Sequence, residues 1–306
     1  MTTPAEPDHR HTLDPIDRRI IGMLVDDPRI SYQEIADRLG MARASIRARM
    51  KKLLDSQAVQ ITGGPHPHLH GLGVAAELLI DTALSAEQVA AGLGERPCVR
   101  TGYADGLITL SLWTRDDSEL GDLADALRAH PETRSVEVFR VANLIQPQLR
   151  IPRVRGEDLA PLDEVDHTLM DLMADDPRAT FTSFRAATGL SATTVSARIH
   201  RLLELGELLL TVTGRSGAPA ETHRIGITVH APAQAVALSL LQLPGLDYLA
   251  VGHGRYDILA RVVTPLGRQD ALHRRIRRTP GVEQARFWRT ACEYDLPVLL
   301  NHHNKT

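Results

Sequence analysis

The sequence predicts an α+β fold that is built twice over, and three observations carry the prediction. One set of motifs recurs at a constant shift of 149 residues. Within each copy, apolar residues first follow a helical period and then give way to short β-branched and leucine-rich runs that alternate with helical stretches. Glycine- and proline-rich segments fall between these two kinds of region, where domain junctions are expected.

The repeat holds register over some forty positions. Leu13-Asp14-Pro15-Ile16-Asp17 returns as Leu162-Asp163-Glu164-Val165-Asp166, and Asp26-Asp27-Pro28-Arg29 as Asp175-Asp176-Pro177-Arg178. Gly40 returns as Gly189, and the apolar set Ile46, Met50, Leu53, Leu54 as Val195, Ile199, Leu202, Leu203. The expected organisation is a disordered N-terminus over 1–12, a helical domain over 13–64 and a strand-and-helix domain over 69–146. A linker over 147–161 leads to a second helical domain over 162–214 and a second strand-and-helix domain over 221–301. Gly63-Gly64-Pro65 and the stretch from Gly214 to Pro219 carry turn chemistry and are expected to be junctions between the two kinds of domain.

In the first helical domain, Asp14 is a natural N-cap with Pro15 at the first helical position, and Ile16, Ile20, Met23 and Leu24 form one apolar stripe. That helix should end near Asp27-Pro28. A second helix is expected after Ser31, capped there with Glu34 three residues on, and broken by Gly40. The third runs from Ala42 to about Gln57 with Ile46, Met50, Leu53 and Leu54 inward. Its outer face carries the small residues Ala44, Ser45 and Ala48, flanked by Arg43, Arg47, Arg49, Lys51 and Lys52. Against Asp55, these five cations leave a net of plus 4. Two helices joined by a tight turn, the later one basic and small-faced, make a helix-turn-helix, here expected with a trailing wing. Such a helix can enter a major groove and leave its cations at phosphates and base edges. A basic helix face can also be simply a solvated one. In the second copy, from Ser191 to Gly206, Thr193, Thr194, Ser196 and Ala197 face outward, with only Arg198 and Arg201 set against Glu204. The first copy is therefore expected to be the stronger reader of DNA.

The remaining pattern is strand Val74–Ile80, helix Ala86–Leu93, strands Val99–Tyr103 and Leu107–Trp113, helix Ser118–His130 and strand Val136–Val141. This is the ferredoxin-like order βαββαβ. It recurs as Ile225–Val229, Gln234–Leu241, Asp247–Val251, Ile258–Val263, Arg268–Arg278 and Ala285–Thr290. Between the middle strands lie Gly102-Tyr103-Ala104-Asp105-Gly106 in one copy and Gly252-His253-Gly254-Arg255-Tyr256-Asp257 in the other. Taken alone, these glycines can be nothing more than hairpin turns.

The run Leu-Asp-x-[Ile/Val]-Asp, Asp-Pro-Arg, a helix closing on Arg-[Met/Ile]-x-[Lys/Arg]-Leu, and then βαββαβ with a glycine hairpin resembles the Lrp/AsnC family of transcriptional regulators, twice over. The resemblance implies a winged helix-turn-helix followed by a ligand-sensing and dimerising domain in each copy. It places a small effector, often an amino acid, near Gly102, Tyr103 and Asp105 and near Gly252, Gly254, Tyr256 and Asp257. The chain departs from the family in being duplicated and in the Gly-Tyr-Ala-Asp-Gly form of its first hairpin. The implied partners are double-stranded DNA and a small effector. The two copies would form an intramolecular pseudo-dimer, with room for further assembly of chains. Siroheme decarboxylases resemble the same layout and supply an enzyme alternative, although no residue set for proton delivery stands out, and a ligand-sensing scaffold without DNA binding is the other alternative. The expected reading is a non-enzyme without a cofactor or catalytic residues.

Composition narrows the classes further. The net charge is −3, with 43% hydrophobic and 24% charged residues, and no apolar run approaches the roughly 20 residues of a membrane span. The first dozen residues lack an apolar export core, and two cysteines, Cys98 and Cys292, are too few for a disulfide framework, so a cytoplasmic protein is expected. His66-x-His68-x-His70 could place alternate imidazoles on one face for a metal. It is also an ordinary solvated junction, and no metal is assigned.

Overall fold

The computed structural model describes residues 13–56, 58–85, 88–89, 93, 98–104, 107–145, 161–214 and 220–294. The described residues form two compact units. One lies within Met1–Gly64, Leu162–His200 and Leu208–Pro219, and the other within Pro65–Pro161, Arg201–Glu207 and Ala220–Thr306. Like domains of the two copies thus associate with each other instead of each copy closing on itself.

In the first unit, α1 (Pro15–Asp26) starts at an Asp14 N-cap, and Asp14 and Asp17 complete a reciprocal capping box. Helices α2 (Tyr32–Leu39) and α3 (Arg43–Asp55) follow, with Ser31 capping the former through the Glu34 amide. Ile20, Leu24, Ile35, Ile46, Met50 and Leu53 are fully buried together, so the helical period in the sequence is the period of this core. The second copy repeats the plan. Its helices are α5 (Glu164–Asp175), which has the same box from Asp163 and Asp166, α6 (Phe181–Thr188) and α7 (Ala192–Leu205).

The two copies are locked by a reciprocal arginine exchange. Arg29 donates to the carbonyls of Pro177 (2.7 Å) and Ala179 (2.8 Å), and Arg178 to those of Pro28 (2.7 Å) and Ile30 (2.9 Å). Each guanidinium also lies over aromatic rings of the opposite copy, Arg29 over Phe184 and Phe181, and Arg178 over Tyr32. Burial, and then the charge of Arg178, holds the Arg29 pKa below its ordinary value. The same contact made from both sides is the mark of an isologous interface, here inside one chain.

Strand β1 (Val59–Pro65) differs from expectation. Instead of folding into a wing of its own domain, it pairs with β6 (Leu208–Gly214) of the other copy in a two-stranded sheet, where Thr62 and Thr211 hydroxyls meet at 2.6 Å. The expected turn at Gly63-Gly64-Pro65 is therefore strand. A side chain at Gly63 would sit 2.8 Å from the Met173 carbonyl and against Leu210, so glycine there serves the close approach of the two copies, not a bend.

The second unit is built on a closed barrel. Its first-copy strands are β2 (Val74–Thr82), β3 (Cys98–Ala104), β4 (Leu107–Thr114) and β5 (Thr133–Leu144). Its second-copy strands are β7 (Ala220–Val229), β8 (Leu246–His253), β9 (Ile258–Pro265) and β10 (Val282–Tyr294). The circuit runs β10-β3-β4-β2-β5-β8-β9-β7 and back to β10. In each copy the spatial order is second, third, first, fourth strand, and the seams are β5 with β8 and β10 with β3. Helix α4 (Asp117–Arg128) follows β4; α8 (Ala233–Leu240) and α9 (Gln269–Arg277) belong to the second copy. The helix expected over Ala86–Leu93 lies largely outside the described residues, as do the 147–160 part of the linker and the stretch 215–219.

Strand alternation sorts the barrel residues into two sets. Leu78, Ile80, Ile108, Leu110 and Val136 pack with Val89, Leu93 and the inner face of the helix that follows β4, and Ile225, Ile227, Leu249, Ile258 and Val262 under the second copy's helices. The opposite faces meet in the interior, where Leu79, Phe139, Ala250, Tyr256, Leu259 and Trp288 form a joint core. An ion pair joins two strands that lie opposite each other in the circuit. Arg224 on β7 meets Glu77 on β2 at 2.9 Å, and Ser111 donates to the same carboxylate at 2.6 Å. Glu77 is buried and Arg224 largely so, and the pairing helps offset the carboxylate's loss of water.

Candidate nucleic-acid interface

The N-cap Ala42 offers α3 no side-chain cap, leaving first-turn amides to other acceptors. Arg43, Ala44, Ser45, Arg47, Ala48, Lys51 and Lys52 are all exposed, on the side away from Ile46, Met50 and Leu53. Lys51 pairs with Asp55 one turn on, while Arg43, Arg47 and Lys52 have no partner among the described residues. Exposed cations of the kind that a phosphate backbone requires are thus present, three of them without a partner among the described residues.

Arg49 is placed differently from its neighbours. Its guanidinium reaches Asp14 at 2.6 Å and Asp17 at 2.7 Å, the two carboxylates of the α1 capping box. Hydrogen bonds from the Asp17 amide and from Arg49 keep the Asp14 pKa below its ordinary value. Arg198 repeats the arrangement at Asp163 (2.7 Å) and Asp166 (2.9 Å). These two arginines pin the third helix to the start of the first in each copy. The signal that could have revealed this is in the repeat itself. Asp14, Asp17 and Arg49 all recur at the 149 shift, whereas Arg43, Arg47 and Lys51 become Ala192, Ser196 and His200. Of the second copy's sequence-predicted residues, Thr193 and Thr194 are exposed and Ser196 is half-buried. Ser191 accepts from the Thr194 amide, and Arg201 is half-buried and engaged. Both arginines of α7 are therefore occupied within the protein.

The hairpin residues divide between description and mask. Gly102 and Tyr103 lie in the backbone of β3, in register with Glu293 and Cys292 of β10, while Asp105 lies outside the described residues. In the second copy, Gly252 and Gly254 face β5 of the first: a side chain at Gly252 would meet the Arg140 carbonyl at 2.2 Å and the Phe139 ring at 2.6 Å. These glycines permit sheet-to-sheet approach, a role that neither turn chemistry nor effector binding anticipates. The Asp257 carboxylate accepts from the Val229 amide at 2.9 Å, and its carbonyl from Gly252 at 3.0 Å. Tyr256 is buried edge-on to Trp288, with ring centroids 5.6 Å apart. The Tyr256 hydroxyl and the Trp288 indole N–H have no partner among the described residues.

The histidine run leaves β1 through a short 3-10 turn, Pro67–His70. His66 is buried against Trp113, with its Nδ1 2.5 Å from His68 Nδ1, and His68 Nε2 lies 2.9 Å from Glu207 Oε2. Burial, and then the charge of His68, pushes the His66 pKa down to about 4. Among the described residues, no group of three or more His, Cys, Asp or Glu could hold a metal.

Comparison with known proteins agrees with this arrangement. Residues 13–54 and 162–203 each match the AsnC-type helix-turn-helix domain family. An uncharacterized HTH-type transcriptional regulator of Pyrococcus abyssi is 50% identical over 48 residues, which is 16% of this chain and 33% of that protein. HTH-type transcriptional regulator FL11 of Pyrococcus abyssi is 27% identical over 148 residues, 47% of this chain and 98% of that one. The match thus spans about a third of the length of the first curated relatives. Among solved structures, the siroheme decarboxylase NirDL superposes with a TM-score of 0.54 at 14% identity, covering 91% of each chain, a likeness of fold. The protein is a tandem AsnC-type helix-turn-helix chain. It carries two AsnC-type helix-turn-helix domains in one polypeptide and is similar to the FL11 regulators over about the length of one copy. Among the described residues, no helix is long and apolar enough to cross a membrane.

Proposed function

We propose that this protein is a sequence-specific, DNA-binding transcriptional regulator in which the first helix-turn-helix is the principal reader. The observation that carries the reading is the exposed, small-faced surface of α3 with Arg43, Arg47 and Lys52 without partners among the described residues, in a domain of the AsnC type. The second domain presents threonine and serine with both helix arginines engaged, so it contributes fewer phosphate contacts and the preferred site is asymmetric. The barrel is the sensing element of this reading, with a small polar effector such as an amino acid near the second hairpin. The unpartnered Tyr256 hydroxyl and Trp288 N–H support a ligand there that brings its own hydrogen-bonding groups. Fluorescence anisotropy with DNA flanking the protein's own gene, at two salt concentrations, tests the proposal. Binding that weakens steeply with salt supports it, and no binding at low salt sinks it.

The fold likeness to NirDL over 91% of the chain motivates a second reading, a tetrapyrrole enzyme. Titration with an iron porphyrin separates the two: a saturable Soret shift favours the enzyme and an unshifted band favours the regulator.

A further inference from the structure

The duplicated helices α4 and α9 occupy the same place in the two copies, with Leu123, Leu127 and Pro131 matching Leu272, Ile276 and Pro280. Both turn apolar residues inward, Leu120 and Leu123 to one core and Leu272 and Ile276 to the other. Their outer faces have opposite charge. Arg115–His130 carries Asp116, Asp117, Glu119, Asp122 and Asp125 against two arginines, a net of −3. The corresponding Thr264–Thr279 carries Arg268, Arg274, Arg275, Arg277 and Arg278 against Asp270, a net of +4.

Among the described residues the basic face is the less committed of the two, since on the acidic side Asp116 caps α4 through the Glu119 amide and Glu119 pairs with Arg115. Arg268, Arg274 and Arg278 are exposed and have no partner among the described residues, and neither does Asp122. Arg275 donates to the Gln242 carbonyl, and Arg277 lies over Phe287. Asp117 and Asp125 are exposed and pair with Arg140 and Arg128. Leu266, just before α9, is 56% exposed and adds an apolar contact beside the basic face. Each helix rests on the outer face of its own sheet, with the barrel between them, so the two faces do not meet within one chain.

A pair of unfused identical subunits would show the same helix face twice, with the same sign on each. Fusion removes that constraint, and the two faces here have diverged into complements. We propose that the acidic face of α4 on one chain docks against the basic face of α9 on a second copy, joining chains head to tail. Such a contact is heterologous, so it repeats until a ring closes or a filament grows. Exposed ion pairs are individually weak and screened over about 8 Å at physiological salt, so assembly depends on several pairs together and dissolves as salt rises.

Sedimentation velocity on the full chain, at about 50 mM and about 500 mM salt, tests this. The wild type is expected to form larger species at low salt that revert at high salt. Arg274→Glu with Arg278→Glu, and separately Asp122→Arg with Asp125→Arg, should each abolish them, while circular dichroism verifies that both variants fold. An equimolar mixture of the two variants has complementary faces again and should regain the large species. Arg274→Lys with Arg278→Lys should keep them. A wild type of one size at both salts overturns the proposal, as does assembly untouched by either reversal, or a mixture that fails to recover. Loss of DNA affinity in the arginine reversal with sedimentation unchanged overturns it too and assigns the basic face to a phosphate backbone.

Discussion

Arg29 and Arg178 stand 149 positions apart in the sequence and perform one act in two directions, each donating to the pair of backbone carbonyls that flanks the other. Hydrogen bonds from a charged donor contribute more than neutral ones, so Arg29→Ala is expected to cost about 2 kcal/mol in urea denaturation. The two guanidinium groups also repel, which adds to burial in holding the Arg29 pKa below its ordinary value. Each single replacement relieves that repulsion and the double relieves it only once, so the double replacement should cost more than the two single ones added together, and strict additivity would refute the coupling between the two groups.

Removing Arg47 and Lys52 together should weaken DNA binding and lower the magnitude of the log-affinity against log-salt slope by about 2. Arg49→Ala behaves differently, because that side chain ties α3 to Asp14 and Asp17. It should lower the melting temperature of the DNA-free protein, an effect that the Arg47 and Lys52 replacements lack. Equal thermal stability in all of these variants would return Arg49 to the DNA surface.

His66 sets a pH window. Its folded pKa of about 4 lies below the ordinary 6.5, so as pH falls below 6.5 the unfolded chain takes up a proton that the folded chain refuses. Stability is thus complete above pH 6.5 and declines as pH drops toward 4, by on the order of 2 kcal/mol from this group. Denaturation midpoints of wild type and His66→Asn measured from pH 7 to 4 should diverge in that window; parallel curves would exclude the assignment.

Gly252→Ala should be costly although it adds a single methyl, since that methyl would lie 2.2 Å from the Arg140 carbonyl at the β5–β8 seam. Overpacking of this kind costs about 1 to 3 kcal/mol. Gly22→Ala, with nothing within 4 Å of the added carbon, is the control and should leave stability unchanged or raised. Equal stability of the two variants in thermal melts would show that the seam yields.

Whatever rests on neighbours in sequence was legible from the start. The caps at Asp14 and Ser31, the stripe through Ile20 and Leu24, and the strand alternation of Val74–Ile80 depend on spacing alone, and they stand in the structure at those residues. What escaped depends on a partner some 150 residues away. Gly63 looked like a turn because nothing local reveals the Met173 carbonyl beside it, and β1 looked like a wing because its partner, β6, belongs to the other copy. The tie of Arg49 to Asp14 and Asp17 was hidden too, because charge is visible in a sequence and an ion pair is not.

The barrel seams carry a consequence for dilution. Strands β5 and β8 come from different copies but from one polypeptide, and so do β10 and β3. Closing the barrel is therefore a unimolecular event, governed by the effective concentration that the connecting chain imposes and not by how much protein is present. An unfused pair of subunits comes apart when scarce. This molecule holds its two halves together at a single copy per cell, and only contacts between separate chains remain subject to abundance.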